Sequence, residues 1–226
     1  MTEESFIRGP YGFTSDTLAL VRFFIRCRRE KREADGKKQP AILDIGTGNG
    51  IIPVLLASEG GYRNLTAVEI QEGAAALARQ NFEDAGIASD VTLIHGDVRE
   101  LKAGNRFDVV ISNPPYMAVD GRKTNLLEEK ARSRHELSLT LEDLVASAKR
   151  LLKPVGKLYL VYKTTRFPEL LQTLAACHFA PGRTRFVYGA PGRPSHAVLI
   201  EAGKGKGGPF TLEEPLYLNS QTEEEA

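Results

Sequence analysis

The sequence predicts an α/β fold, in which a mostly parallel seven-stranded sheet carries helices on both faces and ends in an antiparallel hairpin at one edge. The first observation is that short apolar runs rich in β-branched residues alternate with helical stretches from residue 41 onward. The second is that the last two runs, TRFVYG and HAVLIEA, are joined without a helix by a loop that contains prolines and glycine. Alternation favours parallel strands covered on both faces, whereas a direct loop favours an antiparallel pair.

Each predicted element has its own signal. The stretch FTSDTLALVRFF predicts a helix, capped by Ser15 or Asp16, with an apolar stripe made of Leu18, Val21, Phe24 and Ile25. Apolar runs typical of strands follow at AILDI, LTAVEI, VTLIHG, FDVVIS and KLYLVYK. Helices are expected between these runs at about 51–59, 72–86, 140–152 and 167–178. The third of these helices begins with Thr140 and Asp143 in the spacing of a capping box.

The chain divides by composition into three parts. Residues 1–40 are expected to form an N-terminal helical extension and residues 41–202 the main domain. Residues 203–226 are expected to form a partly disordered tail, because they are rich in glycine and lysine and then in glutamate. The segment from residue 22 to residue 38 holds eight cations and three anions, which makes it the most basic part of the chain. It is interpreted either as a solvated helix end or as a phosphate-binding face.

Composition excludes several classes of protein. A chain of 226 residues is long enough for one domain with a full core. Its net charge of +1 provides no strong overall field toward nucleic acid or an anionic membrane. Two cysteines, Cys27 and Cys177, are too few for a disulfide framework, and no apolar run suits a signal peptide or a bilayer span. We expect a soluble cytoplasmic protein, a monomer rather than an oligomer, with no membrane partner.

A glycine-rich loop follows the first strand and opens a helix, with the sequence Asp44-Ile-Gly46-Thr-Gly48-Asn-Gly50. Glycines there allow the backbone to approach a ligand closely and to adopt dihedral angles that other residues avoid. A dinucleotide-binding loop needs the order G-x-G-x-x-G, but the third position here is Ile51. No lysine followed by serine or threonine makes the loop a P-loop either. The spacing therefore favours a smaller ligand without phosphate.

Acidic residues stand at the ends of three successive strands. Asp44 can meet a cation, Glu69 can accept hydrogen bonds from both hydroxyls of a ribose, and Asp97 can meet an adenine amino group. Each acid alone is as often a loop or cap residue, but strand carboxyl ends form the ligand crevice of an open α/β sheet. A ligand with an ammonium group, a ribose and an adenine but no phosphate is S-adenosylmethionine. The predicted cofactor-binding residues are Asp44, Gly46, Gly48, Gly50, Glu69, Ile70, Asp97, Val98 and Asn113.

The fourth strand ends in an unusual motif, Asn113-Pro114-Pro115-Tyr116. The two prolines cannot extend a helix or join the middle of a sheet ladder, so they hold the backbone stiff where the strand stops. The stiffness is compatible with a rigid exit from the strand and also with a preformed pocket for a flat, amide-like substrate. In the second interpretation, the Asn113 amide oxygen and the Pro114 carbonyl accept both hydrogens of an exocyclic amino group.

Taken together, the glycine loop, the three acids and NPPY resemble the class I S-adenosylmethionine-dependent methyltransferases, which implies a Rossmann-like fold. NPPY is similar to the motif of the amino-methylating branch, which modifies adenine, cytosine or glutamine amide nitrogens. The segments GPYGFTSDTLAL, ARSRHELSLTLEDLVASAKRLLKP and FVYGAPGRPSHAVLIEA resemble the bacterial tRNA1(Val) adenine-N6 methyltransferase family. The similarity covers approximately residues 8–202 and departs from the family at Tyr188-Gly189-Ala190, where a stretch richer in histidine and proline is expected.

The resemblance implies roles for particular residues. Asn113, Pro114 and Tyr116 are the expected catalytic residues: the first two hold the target amino group, and Tyr116 stacks on the base. The segment after NPPY is long and lacks clear periodicity, so we expect a flexible lid there. The expected substrate-binding residues are Pro115, Tyr116, Arg122, Lys123, Arg134 and His135. Further candidates for RNA contact are Lys130, Arg132, Arg183, Arg185 and Arg193. The transfer requires neither a dedicated strong base nor a metal, because the methylated amine loses its proton easily.

The predicted function is N6-methylation of an adenine in tRNA, just 3′ of the anticodon, with tRNA as the partner. An amino-methyltransferase acting on ribosomal RNA or DNA is the nearest alternative. A glutamine amide in a protein presents the same planar amino group, although such enzymes usually carry a sizeable helical domain ahead of the core. A non-catalytic S-adenosylmethionine-binding protein is a third class, which is disfavoured because every expected site position is filled.

Overall fold

The computed structural model of the protein describes residues 14–35, 39–102, 104–114, 139–205 and 208–219. Its helices are α1 (Ser15–Asp35), α2 (Ile51–Ser58), α3 (Glu72–Asp84), α4 (Leu141–Leu151) and α5 (Phe167–Ala176). Its strands are β1 (Ile42–Ile45), β2 (Leu65–Glu69), β3 (Val91–His95), β4 (Phe107–Ser112), β5 (Leu152–Lys163), β6 (Phe179–Tyr188), β7 (Ser195–Lys204), β8 (Thr211–Leu212) and β9 (Leu216–Tyr217). No helix within these ranges is long and apolar enough to cross a membrane.

In the described part of the chain, the strands form one nine-stranded sheet. Its order is β3-β2-β1-β4-β5-β7-β6-β8, and β9 also pairs with β6. Strands β1 to β5 pair in parallel, whereas β7 runs antiparallel between β5 and β6. The predicted α/β fold, with a parallel centre and an antiparallel hairpin, is therefore confirmed. Helices α2 to α5 end one or two residues earlier than the sequence predicts.

The sheet contains two strands that the sequence does not predict. β8 and β9 each pair in parallel with β6. The Glu213 amide donates to the Thr184 carbonyl over 2.8 Å, and the rings of Tyr188 and Tyr217 lie 5.4 Å apart. A strand at the edge of a sheet leaves backbone groups unpaired, and these contacts satisfy some of them. The tail, predicted to be partly disordered, thus contributes two short strands, Thr211–Leu212 and Leu216–Tyr217.

Among the described residues, apolar side chains pack into two buried clusters, one on each face of the sheet. Helices α1, α2 and α3 cover one face, and α4 and α5 cover the other. The predicted stripe of α1 faces the first cluster, where Phe24 lies edge-on to Tyr159 with ring centroids 4.9 Å apart. Aromatic pairs of this geometry add to the stabilisation that burial provides. Helix α1 is therefore a layer of the main core.

The cap of α1 is Thr14 rather than the predicted Ser15 or Asp16. The Thr17 amide donates to the hydroxyl oxygen of Thr14 over 3.3 Å and to its carbonyl oxygen over 3.0 Å. Asp16 instead contacts the start of β7, where its Oδ1 lies 3.0 Å from Nε2 of His196. The first turn of α1 is thereby attached both to its own cap and to the sheet.

The basic part of α1 lies away from the carboxyl ends of the parallel strands. Arg22 forms an ion pair with Glu59, which follows the last residue of α2. Arg28 lies within electrostatic range of Asp108, whose carboxylate accepts from the Ala41 amide just before β1. Both contacts are at the end of the sheet where β1 begins. They favour a solvated helix end over a phosphate-binding face beside the ligand crevice.

Gly50 is required by the contact between α2 and α3. It precedes α2 with a φ of +82°, in the left-handed region that favours glycine. A Cβ at this position would lie 2.5 Å from the ring of Phe82 and 3.1 Å from the methyl group of Ala78. The third glycine of the loop therefore serves the packing of two helices.

Replacing Gly50 by alanine is expected to lower the free energy of unfolding by about 2–4 kcal/mol, because it combines a strained φ with overpacking against Phe82. Gly73 on α3 is the matched control, since a Cβ there would meet nothing within 4 Å. Gly73→Ala should be neutral or slightly stabilising. Urea unfolding followed by circular dichroism measures both variants, and a Gly50→Ala protein as stable as the parent would contradict this account of the helix contact.

Candidate active site

Three strands bring polar side chains together where their carboxyl ends meet. Asp44 on β1, Glu69 at the end of β2 and Asn113 immediately after β4 lie on adjacent strands of the parallel sheet. The register sets their relative heights, since Asp44 pairs with Ala67 of β2 and with Ile111 of β4. In an open α/β sheet, ligands bind just outside the carboxyl ends of the strands.

Asp44 is an acid buried without a hydrogen-bond partner in the described part of the chain. It is 1% exposed, and neither carboxylate oxygen accepts a hydrogen bond there. Burial raises the pKa of Asp44 to about 7; the nearby Thr47 hydroxyl offsets part of the rise without reaching hydrogen-bonding geometry, and the charge of Glu69 adds to it. A buried polar group without a partner is costly. A ligand that supplies donors or a positive charge explains why such a group is retained.

The glycine loop leaves open space at the end of β1. Gly46 and Gly48 adopt φ values of +71° and +58°, and a Cβ at either position would meet nothing within 4 Å. The amides of Gly46 and Thr47 donate to the Val68 carbonyl over 2.9 and 3.1 Å, so the loop is held against β2. A ligand can therefore approach this backbone closely. Gly50, the third predicted glycine, instead packs against α3.

Glu69 connects the glycine loop to the start of α3. It is buried, and its two carboxylate oxygens accept from the amides of Gly48 and Gln71, each over 2.9 Å. An oxygen of a carboxylate has two lone pairs, so each oxygen retains an acceptor site. These backbone contacts hold the carboxylate in place and are compatible with the predicted binding of hydroxyl groups.

Asp97 is engaged by a neighbouring arginine. Both its oxygens accept from the Arg99 guanidinium over 2.6 to 3.0 Å, and these bonds hold the pKa of Asp97 below its ordinary value. The Gly96 amide donates to the Glu69 carbonyl over 2.9 Å, which places Asp97 near the same edge of the sheet. An adenine amino group at this carboxylate would therefore share it with Arg99.

Ile70 and Val98 are also predicted to bind the cofactor, and each follows one of the acids. The Ile70 carbonyl lies 3.2 Å from Nε2 of His95, and the Val98 carbonyl accepts from Arg150 over 2.8 Å. The Val98 side chain is buried in the second apolar cluster. Both residues thus flank the crevice while their carbonyls contact other parts of the protein.

Asn113 is attached to the first turn of α1. Its Nδ2 donates to Oγ1 of Thr17 over 2.8 Å, and Thr17 is buried. The preceding Ser112 hydroxyl donates to the Ile45 carbonyl over 2.7 Å, which ties the end of β4 to the end of β1. Pro114, the next predicted residue, is buried. Because Thr17 holds the amide nitrogen, the other branch of the Asn113 side chain is an oxygen that can accept from an amino group.

The remaining residues predicted to bind the substrate or RNA are paired within the protein, exposed, or outside the described ranges. Arg183 forms an ion pair with Glu213 at 3.5 Å, and Nε of Arg185 donates to the Glu214 carbonyl over 2.8 Å, so the tail engages both arginines. Arg193, in the turn between β6 and β7, is exposed. The residues that lie outside the described ranges are Pro115, Tyr116, Arg122, Lys123, Lys130, Arg132, Arg134 and His135.

Thr17, Thr47 and Gln71 belong to the site but are not predicted from the sequence. Gln71 contributes a backbone amide, which leaves no signal in the identity of the residue. Thr17 does leave a signal, because it lies one helical turn before Leu20 and Val21 on the buried face of α1. A hydroxyl on such a face indicates that a polar group packs against it.

The donor and acceptor groups of the site suit an organic ligand. Three features match a cation that also carries hydroxyl groups: an acid without a hydrogen-bond partner among the described residues, open backbone at two glycines and a carboxylate with acceptor sites in reserve. Across the ranges that the structure describes, no group of three or more histidine, cysteine, aspartate or glutamate side chains is arranged to hold a metal ion.

The chain is similar to known proteins over most of its length. The family described as Methyltransferase small domain matches residues 29–187. A tRNA1(Val) (adenine(37)-N6)-methyltransferase of Vibrio vulnificus (strain CMCP6) is 33% identical, over 79% of this chain and 73% of the relative. A protein of the same name from Dyadobacter fermentans is 36% identical, over 60% of this chain and 57% of the relative.

Solved structures share the fold. TrmN from Thermus thermophilus has a TM-score of 0.56 and 22% identity, over 83% of this chain and 48% of that protein. A predicted O-methyltransferase from Agrobacterium tumefaciens, protein Atu636, has a TM-score of 0.64 and 20% identity, over 84% of this chain and 86% of that protein. At these identities the likeness establishes the arrangement of sheet and helices alone.

The buried acid predicts an unusual dependence of stability on pH. Because burial raises the pKa of Asp44 from 3.8 to about 7, the folded protein binds this proton more tightly than the unfolded chain does. The contribution of Asp44 to the free energy of unfolding should therefore fall as the pH rises from about 4 to about 7, by up to about 4 kcal/mol at roughly 1.4 kcal/mol per pKa unit.

Asp44→Asn should remove this dependence, so that the ligand-free variant is more stable than the parent at pH 8 and close to it at pH 4. Asp108→Asn is the matched control, because the Asp108 carboxylate lies 2.8 Å from the Lys153 ammonium and its loss should lower stability at pH 8. Denaturant unfolding at both pH values measures the two effects. An Asp44→Asn protein less stable than the parent at pH 8 would show that the acid has a partner.

Proposed function

We propose that this chain, which belongs to the methyltransferase small domain family, methylates N6 of an adenine in tRNA. The proposed position is the one next to the anticodon. The chain is an S-adenosylmethionine-dependent N-methyltransferase with a Rossmann-like fold. The observation that carries the proposal is the position of Asp44, which has no hydrogen-bond partner among the described residues, on the strand next to the one that Asn113 and Pro114 follow. The first of these positions suits a cationic methyl donor, and the second suits an amino group.

The residues at the end of β1 and β2 fit S-adenosylmethionine, which supplies a methyl group on a positively charged sulfur when it is bound. Within the described ranges, neither oxygen of Asp44 accepts a hydrogen bond, and an ammonium group would supply the missing donors. Glu69 retains acceptor sites for ribose hydroxyls, and the space beside Gly46 and Gly48 admits a ligand against the backbone. Asp97, shared with Arg99, would face the adenine amino group.

Asn113 and Pro114 would hold the amino group that receives the methyl. The amide oxygen of Asn113 and the Pro114 carbonyl, kept rigid by Pro115, accept its two hydrogens. These hydrogen bonds favour a tetrahedral amino nitrogen, whose lone pair is no longer delocalised into the adenine ring and would point at the methyl group. On accepting the methyl group the nitrogen would gain positive charge, the sulfur would keep the electrons of the broken C–S bond as a neutral sulfide, and both oxygens would stabilise the charge on nitrogen. Positioning of this kind supplies several kcal/mol of the barrier reduction, and the product amine loses its proton to solvent without a dedicated base.

Relatives support tRNA as the substrate. Two proteins named tRNA1(Val) (adenine(37)-N6)-methyltransferase are 32% and 33% identical and cover 82% and 79% of this chain. A base in a single-stranded loop is easier to present than a paired one, because extruding a paired base costs a few kcal/mol. We propose that Tyr116 stacks on this base and that Arg122, Lys123, Arg134, His135 and the exposed Arg193 contact the RNA.

The proposed substrate can be tested by measuring the transfer of a labelled methyl group to total tRNA, ribosomal RNA, DNA and protein side by side. We expect label in tRNA, recovered as N6-methyladenosine after nuclease digestion. Label in ribosomal RNA or DNA alone would show that this nucleic acid, and not tRNA, is the substrate. Label only in protein would overturn the assignment to nucleic acid, and S-adenosylmethionine binding without transfer to any of them would indicate a non-catalytic role.

Asn113→Ala should reduce the rate of methyl transfer by about a hundredfold or more, because one acceptor for the amino group is lost. The Kd for S-adenosylmethionine, measured by calorimetry, should change little, since the amide acts on the methyl acceptor. Asn64→Ala, in the exposed loop before β2, is the matched control and should retain the parent rate. Full activity of Asn113→Ala would exclude the proposed role of the NPPY motif.

A further inference from the structure

The contact between Thr17 and Asn113 selects one orientation of the Asn113 amide. Oγ1 of Thr17 lies 2.8 Å from Nδ2 of Asn113 and 2.8 Å from Oγ1 of Thr14. Either hydroxyl of the Thr14–Thr17 pair can donate to the other, and Oγ1 of Thr17 accepts the hydrogen bond from Nδ2 of Asn113. The amide nitrogen, which is a donor, therefore turns toward Thr17. The amide oxygen turns to the other side.

This orientation matters because the two branches of an amide are alike in shape and opposite in hydrogen bonding. A substrate amino group presents hydrogens, so an oxygen must face it. If the Asn113 amide rotated by half a turn, its own NH₂ group would face the amino group and two donors would meet. The site would then lose one of its two acceptors while its shape remained the same.

Thr17 is itself held firmly by the fold. It is 4% exposed, and its backbone amide bonds to the Thr14 carbonyl over 3.0 Å. One and two turns further along α1, Leu20 and Phe24 are fully buried in the first apolar cluster. The adjacent Asp16 contacts His196 of β7. A hydroxyl fixed on both sides in this way can orient the side chain that it binds.

We propose that Thr17 is a positioning residue, which acts through Asn113 to present the amide oxygen to the methyl-accepting amino group. The inference rests on the proposed function, since it requires Asn113 to bind that amino group. Thr17 contacts neither the substrate nor S-adenosylmethionine in this scheme. Its loss should therefore lower the rate of transfer while the affinities for both molecules stay nearly the same.

Thr17→Val removes the hydroxyl and keeps the shape of the side chain. Its kcat should fall roughly tenfold to a hundredfold, the size of effect expected from a misplaced catalytic group. The KM for tRNA and the Kd for S-adenosylmethionine should stay within about twofold of the parent values. Thr17→Ser restores the hydroxyl and should recover kcat to within about threefold. Thr17→Ala removes the same hydroxyl with a smaller side chain, and it replaces the valine variant if that protein does not fold.

The matched control is Thr184→Val on β6. Thr184 is also a buried threonine, and its hydroxyl lacks a hydrogen-bond partner among the described residues. The kcat of Thr184→Val should therefore equal that of the parent. Three results would overturn the proposal: a Thr17→Val kcat within about twofold of the parent, an equal loss in Thr17→Ser, or a rise in the Kd for S-adenosylmethionine as large as the fall in kcat.

The parent protein separates failure of this inference from failure of the proposed function. If the parent protein methylates another amino group and leaves tRNA unmodified, the proposed tRNA substrate is wrong. The kcat of the Thr17 variants is then measured with that other methyl acceptor. If Asn113→Ala is inactive while Thr17→Val is fully active, the role of Thr17 alone is refuted.

Discussion

The constraint on which the rest of the structure depends is a buried acid, Asp44, that finds no hydrogen-bond partner in the described part of the chain. Burying Asp44 disfavours the folded state, and it is tolerated because apolar clusters on both faces of the sheet stabilise the strands around it. The same parallel register that buries Asp44 places Glu69 and Asn113 at the same edge. The site therefore follows from the strand register, which places polar residues at the carboxyl ends of neighbouring strands next to one another.

Much of the fold could be predicted because it depends on local patterns. The apolar runs, the capping box at Thr140 and the hairpin signal all act over a few residues, and the structure contains the corresponding strands and helices. Asp44, Glu69 and Asn113 were accessible to the same reasoning, because strand ends can be located and their residue types indicate chemistry. Gly50 shows where this reasoning stops: it belongs to the loop motif, yet its neighbour is Phe82 on another helix.

Contacts between distant segments could not be predicted. Thr17 and Asn113 are 96 residues apart, and nothing near either residue indicates the other. The pairing of Asp97 with Arg99 depends on side-chain geometry rather than on spacing, since an acid two residues from an arginine is common on protein surfaces. The tail strands β8 and β9 are only two residues long and form because β6 offers them an edge. These features decide how the site is arranged, whereas the sequence motifs indicate where it lies.

The packing of α1 also has a consequence for the synthesis of the protein. A chain leaves the ribosome amino end first, so α1 emerges long before β5, which supplies Tyr159 to cover Phe24. Until then the helix can pack against α2 and Tyr62 but lacks the cover of β5 and β7, and contacts between such distant segments form slowly. The apolar stripe of α1 is therefore covered late in synthesis, and it adds to the apolar surface that the unfinished chain exposes in the meantime.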